Sequence, residues 1–338
     1  MSKTVAIIGG GIAGLETSIQ LEKLGYNVSL FEKDTTLGGH AGKWDRLFPN
    51  RRHATEVIDS LTKAIGSKTQ INLSVQVSEI KRDNGSFLIE ANGKSQKADS
   101  IVLATGFELF PANKKEEYGY GIFENVITSA ELEGMFSSNG KPLMTNGKTP
   151  EKIAIIHCVG SRDEKVNRPY CSKVCCVTAV KQAIEIKEAL PLSEVYNFYM
   201  DLRMFGPGYE DLYKEAQTKG VIFIRGRLSE ASELVGNRIL VKAEDTLSSK
   251  PLKMSVDMVV LMVGMSPLPS TEKLLKSLGI KLNHDGFAQV KDYHLEPTHT
   301  STEGVFVAGA CTGPNNITDS MNAANTAALE VHNYLTSK

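Results

Sequence analysis

The sequence lacks any apolar run approaching the roughly 18 residues that a membrane-spanning helix needs, and its longest, such as VVLMVGM from Val259, stop far short. No membrane is expected as a partner. It also lacks an excess of either charge, with 38 Lys and Arg against 39 Asp and Glu for a formal net charge of −1. Without a basic block there is no electrostatic footprint for nucleic acid or for an anionic lipid surface. The apolar opening, MSKTVAIIGGGIAG, is broken by glycines and followed by no small-residue cleavage site. A buried strand explains it better than a secretory signal, and a cytoplasmic location is expected. Tryptophan occurs once, at Trp44, and cysteine only five times. An odd, small number of cysteines without a signal excludes a disulfide scaffold, leaving metal binding, redox exchange or packing.

What is present is enough for two packed domains: 338 residues, 41% of them hydrophobic. Thr4 to Glu32 reads as a βαβ unit: apolar VAII, a glycine turn, an amphipathic helix carrying Leu15, Ile19, Leu21 and Leu24 that ends at Gly25, then VSLFE. Gly9, Gly11 and Gly14 form G-x-G-x-x-G between strand and helix, the arrangement that brings backbone amides and a helix N-terminus to a pyrophosphate. Glu32 closes the second strand, where a carboxylate accepts ribose hydroxyls. The doublet Gly38–Gly39 that follows lets the chain pass close to an extended dinucleotide, favouring FAD over NAD.

A second unit begins at Lys152 with IAIIH, a polar loop, a helical stretch from Val174 to Glu188 and the strand EVYNFYM. DSIVLATGF from Asp99 and DMVVLMVGM from Asp257 are matching strands that each end in a glycine turn and close one domain. The expected fold class is α/β, with two Rossmann-like dinucleotide-binding domains, the second inserted in the first. Residues 1–112 and 285–338 form the FAD domain, and 113–284 the inserted one. The second turn lacks the phosphate-cradling glycines, since IAIIH leads into Cys158-Val-Gly160-Ser-Arg162. Cysteines stand there instead: Cys158, Cys171, Cys175 and Cys176, in the pattern C-x12-C-x3-C-C. Zinc prefers paired hooks separated by two to four residues. Adjacent cysteines chelate one small ion poorly, whereas an iron-sulfur cube offers separate iron corners. A redox dithiol and plain packing remain as alternatives, the former without the usual C-x-x-C spacing. Cys311 stands apart after GVFVAGA and reads as packing, with a thiol role beside the flavin motif as the alternative.

The flavin motifs, with Ala104-Thr105-Gly106 and GVFVAGA, resemble the FAD domain of the thioredoxin reductase and glutathione reductase superfamily. With HCVGSRDEKVNRPYCSKVCC (His157 to Cys176), DLRMFGPGYEDLYKEA (Asp201 to Ala216), FIRGR (Phe223 to Arg227) and GVFVAGACTGPNNITDS added, the chain closely resembles the A subunit of heterodisulfide reductase. The resemblance is closest to the short A-like subunit of heterodisulfide-reductase-like complexes of sulfur oxidisers. It implies non-covalent FAD, held through Gly9, Gly11, Gly14, Glu32, Lys33, Gly39, His40, Val77, Thr105, Gly106, Gly309, Ala310 and Ile317. It implies a [4Fe-4S] cluster on Cys158, Cys171, Cys175 and Cys176, a homodimer, and electron transfer to partner subunits. Ala310 stands where the superfamily usually has Asp, so a backbone contact must replace a ribitol contact. His40 and Lys43 are flavin-proximal candidates for proton relay and charge stabilisation. Long methanogen-type members carry extra cysteine motifs absent from this sequence, which has no cysteine between Phe48 and Ser60. It therefore has fewer electron entry points.

Overall fold

A computed structural model describes residues 3–338. The chain forms two compact units. One comprises the chain up to Lys43, Ala54–Glu108 and Ser266–Lys338, and the other Trp44–His53 and Leu109–Met265. The ten-residue segment Trp44–His53 thus groups with the second unit although it lies within the sequence of the first.

The first unit is built on a five-stranded sheet in the order Val305–Val307, Ser100–Leu103, Thr4–Ile8, Asn27–Phe31, Thr69–Asn72. All neighbours run parallel. Thr4–Ile8 is buried almost throughout. This explains why it reads as an unbroken apolar run and not as an alternating one: helices cover both faces of a parallel sheet. Burying each such Val or Ile side chain is worth about 1.5–3 kcal/mol. The helix Ile12–Lys23 returns the chain from the first strand, and the last helix, Ile317–Thr336, packs against it through Ala324, Ala327 and Val331. A three-stranded antiparallel sheet, Val77–Asp83, Ser86–Ala91 and Lys94–Ala98, completes the unit.

The second unit repeats this plan. Its parallel sheet has the order Val126–Thr128, Met258–Val263, Lys152–Val159, Glu194–Tyr199, Ile222–Arg225. Its antiparallel sheet is Leu228–Leu234, Arg238–Asp245 and Lys250–Val256. The central strand runs on through Cys158 to Val159, with a register shift between Ile156 and Val159. It carries the first cysteine on the sheet, where the sequence pattern suggests a loop. Among the described residues no helix is long and apolar enough to cross a membrane.

Candidate functional site

In the first unit the glycine turn has the tightness the motif requires. A Cβ on Gly14 would stand 1.8 Å from the Gly9 carbonyl oxygen, so no side chain fits where helix crosses strand. Gly11 is the N-cap of the first helix and no side chain caps it, leaving the helix N-terminus open to an anion. Glu32 is buried, its carboxylate accepting from Gly10 N at 2.6 Å and Asp34 N at 2.8 Å. Each carboxylate oxygen keeps a further lone pair for a hydroxyl. Gly38 N donates to Gly10 O, and Gly39 stands directly over Gly11. The doublet therefore packs on the glycine turn itself.

The remaining flavin candidates lie along the same sheet edge or at the ends of its strands. Val75 N donates to Glu32 O, two residues before the buried Val77. Thr105 Oγ1 is 2.6 Å from Thr271 Oγ1, which donates to it, and Gly106 has a left-handed backbone. Gly309 and Ala310 form a single helical turn after the strand Val305–Val307. Ile317 opens the last helix, capped by Asn316, whose side chain accepts from Asp319 N at 2.8 Å. His40 stacks on Phe107 at 4.3 Å, its Nε2 2.9 Å from the Phe107 carbonyl oxygen. Burial holds it below the usual histidine range. Lys33 is exposed, and Lys43 forms an exposed 3.2 Å ion pair with Asp34. Cys311 is buried and pushed up to about 11 by that burial, which makes its thiol inert.

In the second unit the cysteines gather at the end of the central strand. The Cys158 and Cys175 sulfurs are 3.9 Å apart. Cys175 and Cys176 open the helix Cys175–Ala189, and Cys176 Sγ lies 3.4 Å from Asp201 O. Cys171, half-buried, accepts from Lys173 N at 3.4 Å. Cys158, Arg162 and Lys173 all have left-handed backbones, a costly conformation for non-glycine residues that persists only where surroundings enforce it. The hydrogen bond from Cys175 holds both Cys158 and Cys176 down, Cys176 to about 4, against the opposing effect of burial and with further help from His157. Cys175, donating to both, is raised well above the ordinary thiol range.

Polar groups to which the sequence alone gave no role stand near these sulfurs. Burial pushes His157 down, but its neighbour Cys176 outweighs it and the net shift is upward. His157 Nε2 is 3.0 Å from Asn197 Oδ1. Arg162 donates from Nη2 to Asp201 at 2.8 Å and feels Cys158 and Cys171 electrostatically. Arg203 and Arg225 also face Asp201. Tyr209 packs edge-on against Phe48. Arg203 and Tyr209 stand within the motif DLRMFGPGYEDLYKEA, and Tyr209 finds its partner far away in sequence.

The crest of this second sheet is closed by the protein itself. A Cβ on Gly160, which has a left-handed backbone, would fall 2.0 Å from the Phe110 ring. Ser161 donates to Tyr170 O, Ser172 donates to Ser161, and Met265 N donates to Ser172. Asp163 is buried; desolvation pushes it up, but Lys115, 2.8 Å away, and Arg227 hold it below the usual range. The loop 161–172 is thereby pinned over the turn where a dinucleotide-binding domain receives pyrophosphate.

A profile of the "pyridine nucleotide-disulphide oxidoreductase" family matches residues 3–156 and 177–329. The chain belongs to the pyridine nucleotide-disulphide oxidoreductase family. Membership implies FAD, and the first unit fits it: the turn at Gly14 admits only glycine, and the helix behind it is uncapped. The family profile skips residues 157–176 alone between its two blocks, the segment from His157 to Cys176 that holds all four clustered cysteines. Similar proteins include the A subunit of the H(2):CoB-CoM heterodisulfide,ferredoxin reductase of Methanothermobacter thermautotrophicus, 31% identical over 95% of this chain and 62% of that protein. The iron-sulfur A subunit of the CoB–CoM heterodisulfide reductase of Methanocaldococcus jannaschii is 31% identical over 98% of this chain and 64% of that one. The chain thus spans less than two thirds of the length of these relatives. Among solved structures, thioredoxin reductase of Lactococcus lactis matches over 100% of both chains with a TM-score of 0.71 at 18% identity. That of T. acidophilum matches over 99% of both with a TM-score of 0.68 at 20% identity. These likenesses establish the two-domain Rossmann fold.

Among the described residues no three His, Cys, Asp or Glu are grouped to hold a single metal ion. The cysteine segment does fit a larger anionic group. It offers four thiols, Cys158 and Cys176 held below the ordinary range, and a buried Arg162 Nη1 without a hydrogen-bond partner. A buried polar atom left unpaired costs about 1–3 kcal/mol, so Arg162 Nη1 marks a place for an acceptor.

Proposed function

We propose that this chain is an electron-transfer flavoprotein subunit of a heterodisulfide-reductase-like complex in sulfur metabolism. In this reading it holds FAD in the first unit and a [4Fe-4S] cluster on Cys158, Cys171, Cys175 and Cys176 in the second. The observation that carries the reading is the coincidence of the unmatched segment 157–176 with the four cysteines. FAD, when bound, supplies exchange between two-electron and one-electron chemistry, and a cluster supplies one-electron carriage.

The chain's own residues supply binding and orientation. The Gly9–Gly14 turn and the helix N-terminus receive the pyrophosphate, Glu32 takes ribose hydroxyls, and the Val77 backbone takes the adenine. Gly39, Thr105, Gly106, Gly309 and Ala310 line the extended cofactor, with Lys33 and Lys43 at its rim. The capped helix start at Ile317 stabilises negative charge on the flavin pyrimidine. His40 is a proton relay toward the ring. Partners are the other subunits of the complex and a second copy of this chain, in the cytoplasm.

A second reading, an NAD(P)H-dependent disulfide reductase, is favoured by the 3.9 Å approach of Cys158 to Cys175. The closed crest at Gly160 and Ser161–Ser172 opposes it. The separating experiment is anaerobic purification with a visible spectrum and iron and sulfide assays, on wild type and Cys176→Ala. Flavin bands with a broad shoulder lost in the variant, and about four irons per FAD, support the cluster reading. A flavin-only spectrum after reconstitution, with flavin reduced by NADPH, sinks it in favour of the dithiol.

A further inference from the structure

The buried Nη1 of Arg162 has no hydrogen-bond partner. It is not a mobile surface donor. Arg162 is held at its other nitrogen by Asp201, itself faced by Arg203 and Arg225. Arg162, fixed at Nη2, keeps Nη1 for a further acceptor, and its guanidinium interacts electrostatically with Cys158 and Cys171.

We propose that Arg162, positioned by Asp201, donates a hydrogen bond to sulfur of the cysteine-bound centre and sets its reduction potential. The inference rests on the cluster reading above. Hydrogen bonds to sulfur, net charge and solvent exposure tune such potentials, and the residues that make them act as outer-shell partners of the ligands. The Arg162 guanidinium stays charged at every accessible pH, and a fixed cation near sulfur favours the state with one more electron, strongly so where water is excluded. The left-handed backbone at Arg162 is consistent with a conformation retained to hold that side chain in place.

The test is an EPR-monitored titration with dithionite and mediators on the anaerobically reconstituted full chain. Wild type is compared with Arg162→Met, Arg162→Gln and Arg162→Lys, with iron per chain measured for each. Arg162→Met is expected to lower the midpoint potential, so that at a fixed potential the reduced-to-oxidised ratio falls about tenfold or more, as loss of a charged hydrogen bond requires. Arg162→Lys restores part of the shift, and Arg162→Gln, which loses the charge, moves the potential in the same direction as Arg162→Met. Full iron content with an unmoved potential in Arg162→Met, or no recovery in Arg162→Lys, overturns the inference and leaves the cluster reading standing. If Arg162→Met fails to fold or loses iron, Arg162→Gln decides: full iron content with an unmoved potential there overturns the inference. A wild-type chain that takes up no iron overturns the cluster reading and this inference with it.

Discussion

At Gly14 a single methyl group decides whether the first nucleotide turn exists. With the Gly9 oxygen 1.8 Å from any Cβ, Gly14→Ala must push the helix off the strand. The expected cost is on the order of 3 kcal/mol, together with loss of FAD. Denaturant unfolding and the flavin content of the purified variant check both. Glu185 makes a different prediction. Burial, reinforced by Glu133 and only partly offset by Lys181, raises its carboxyl to about 7. The folded chain then keeps a proton that the unfolded chain has lost. Its stabilising contribution is complete below about 4.5 and disappears as pH rises through 7. Glu185→Gln, which cannot ionise, should gain on wild type by on the order of 2 kcal/mol between about pH 5 and pH 8. Urea unfolding at the two pH values measures this, and a constant difference between the proteins would refute it.

Among the secondary-structure elements, the parallel strands and the glycine turn were legible because burial on both faces and left-handed turns leave local marks in sequence. The family motif around the cysteines was equally plain. Its surroundings were not. His157 finds Asn197 40 positions away, Arg162 finds Asp201 39 away and Lys115 finds Asp163 48 away, and no local pattern announces such pairs. The bulge that turns Cys158 to a left-handed backbone inside a strand likewise follows from the packing of the loop 161–172 and not from local propensity. The last helix is a local case: Asn316 and Asp319 form a capping box at its start. Asn316→Ala should cost about 1 kcal/mol of stability and weaken FAD binding, read by thermal unfolding and by flavin release on dilution.

For the whole molecule, one fold plan is used twice with different outcomes. The first turn stays open at an uncapped helix, and the second is filled by Phe110, Ser161 and Ser172. NADH added anaerobically should therefore leave the flavin spectrum unchanged, whereas dithionite bleaches it. Rapid bleaching by NADH would show that the closed crest opens.

The segment Trp44–His53 bears on how this protein can be cut apart. Glu133 accepts from Asp45 N, Lys181 donates to Arg46 O, and Arg51 pairs with Glu188 and Glu215, with Phe48 resting on Tyr209. A recombinant fragment of residues 109–265 looks self-sufficient on paper, yet it would strip two buried charges of backbone partners contributed from 88 and 135 residues upstream. An autonomous second half has to be engineered by splicing 44–53 back through a linker, or by supplying it as a peptide in trans. Restoration of cooperative melting by that decapeptide would make the segment a ready handle for split-protein complementation.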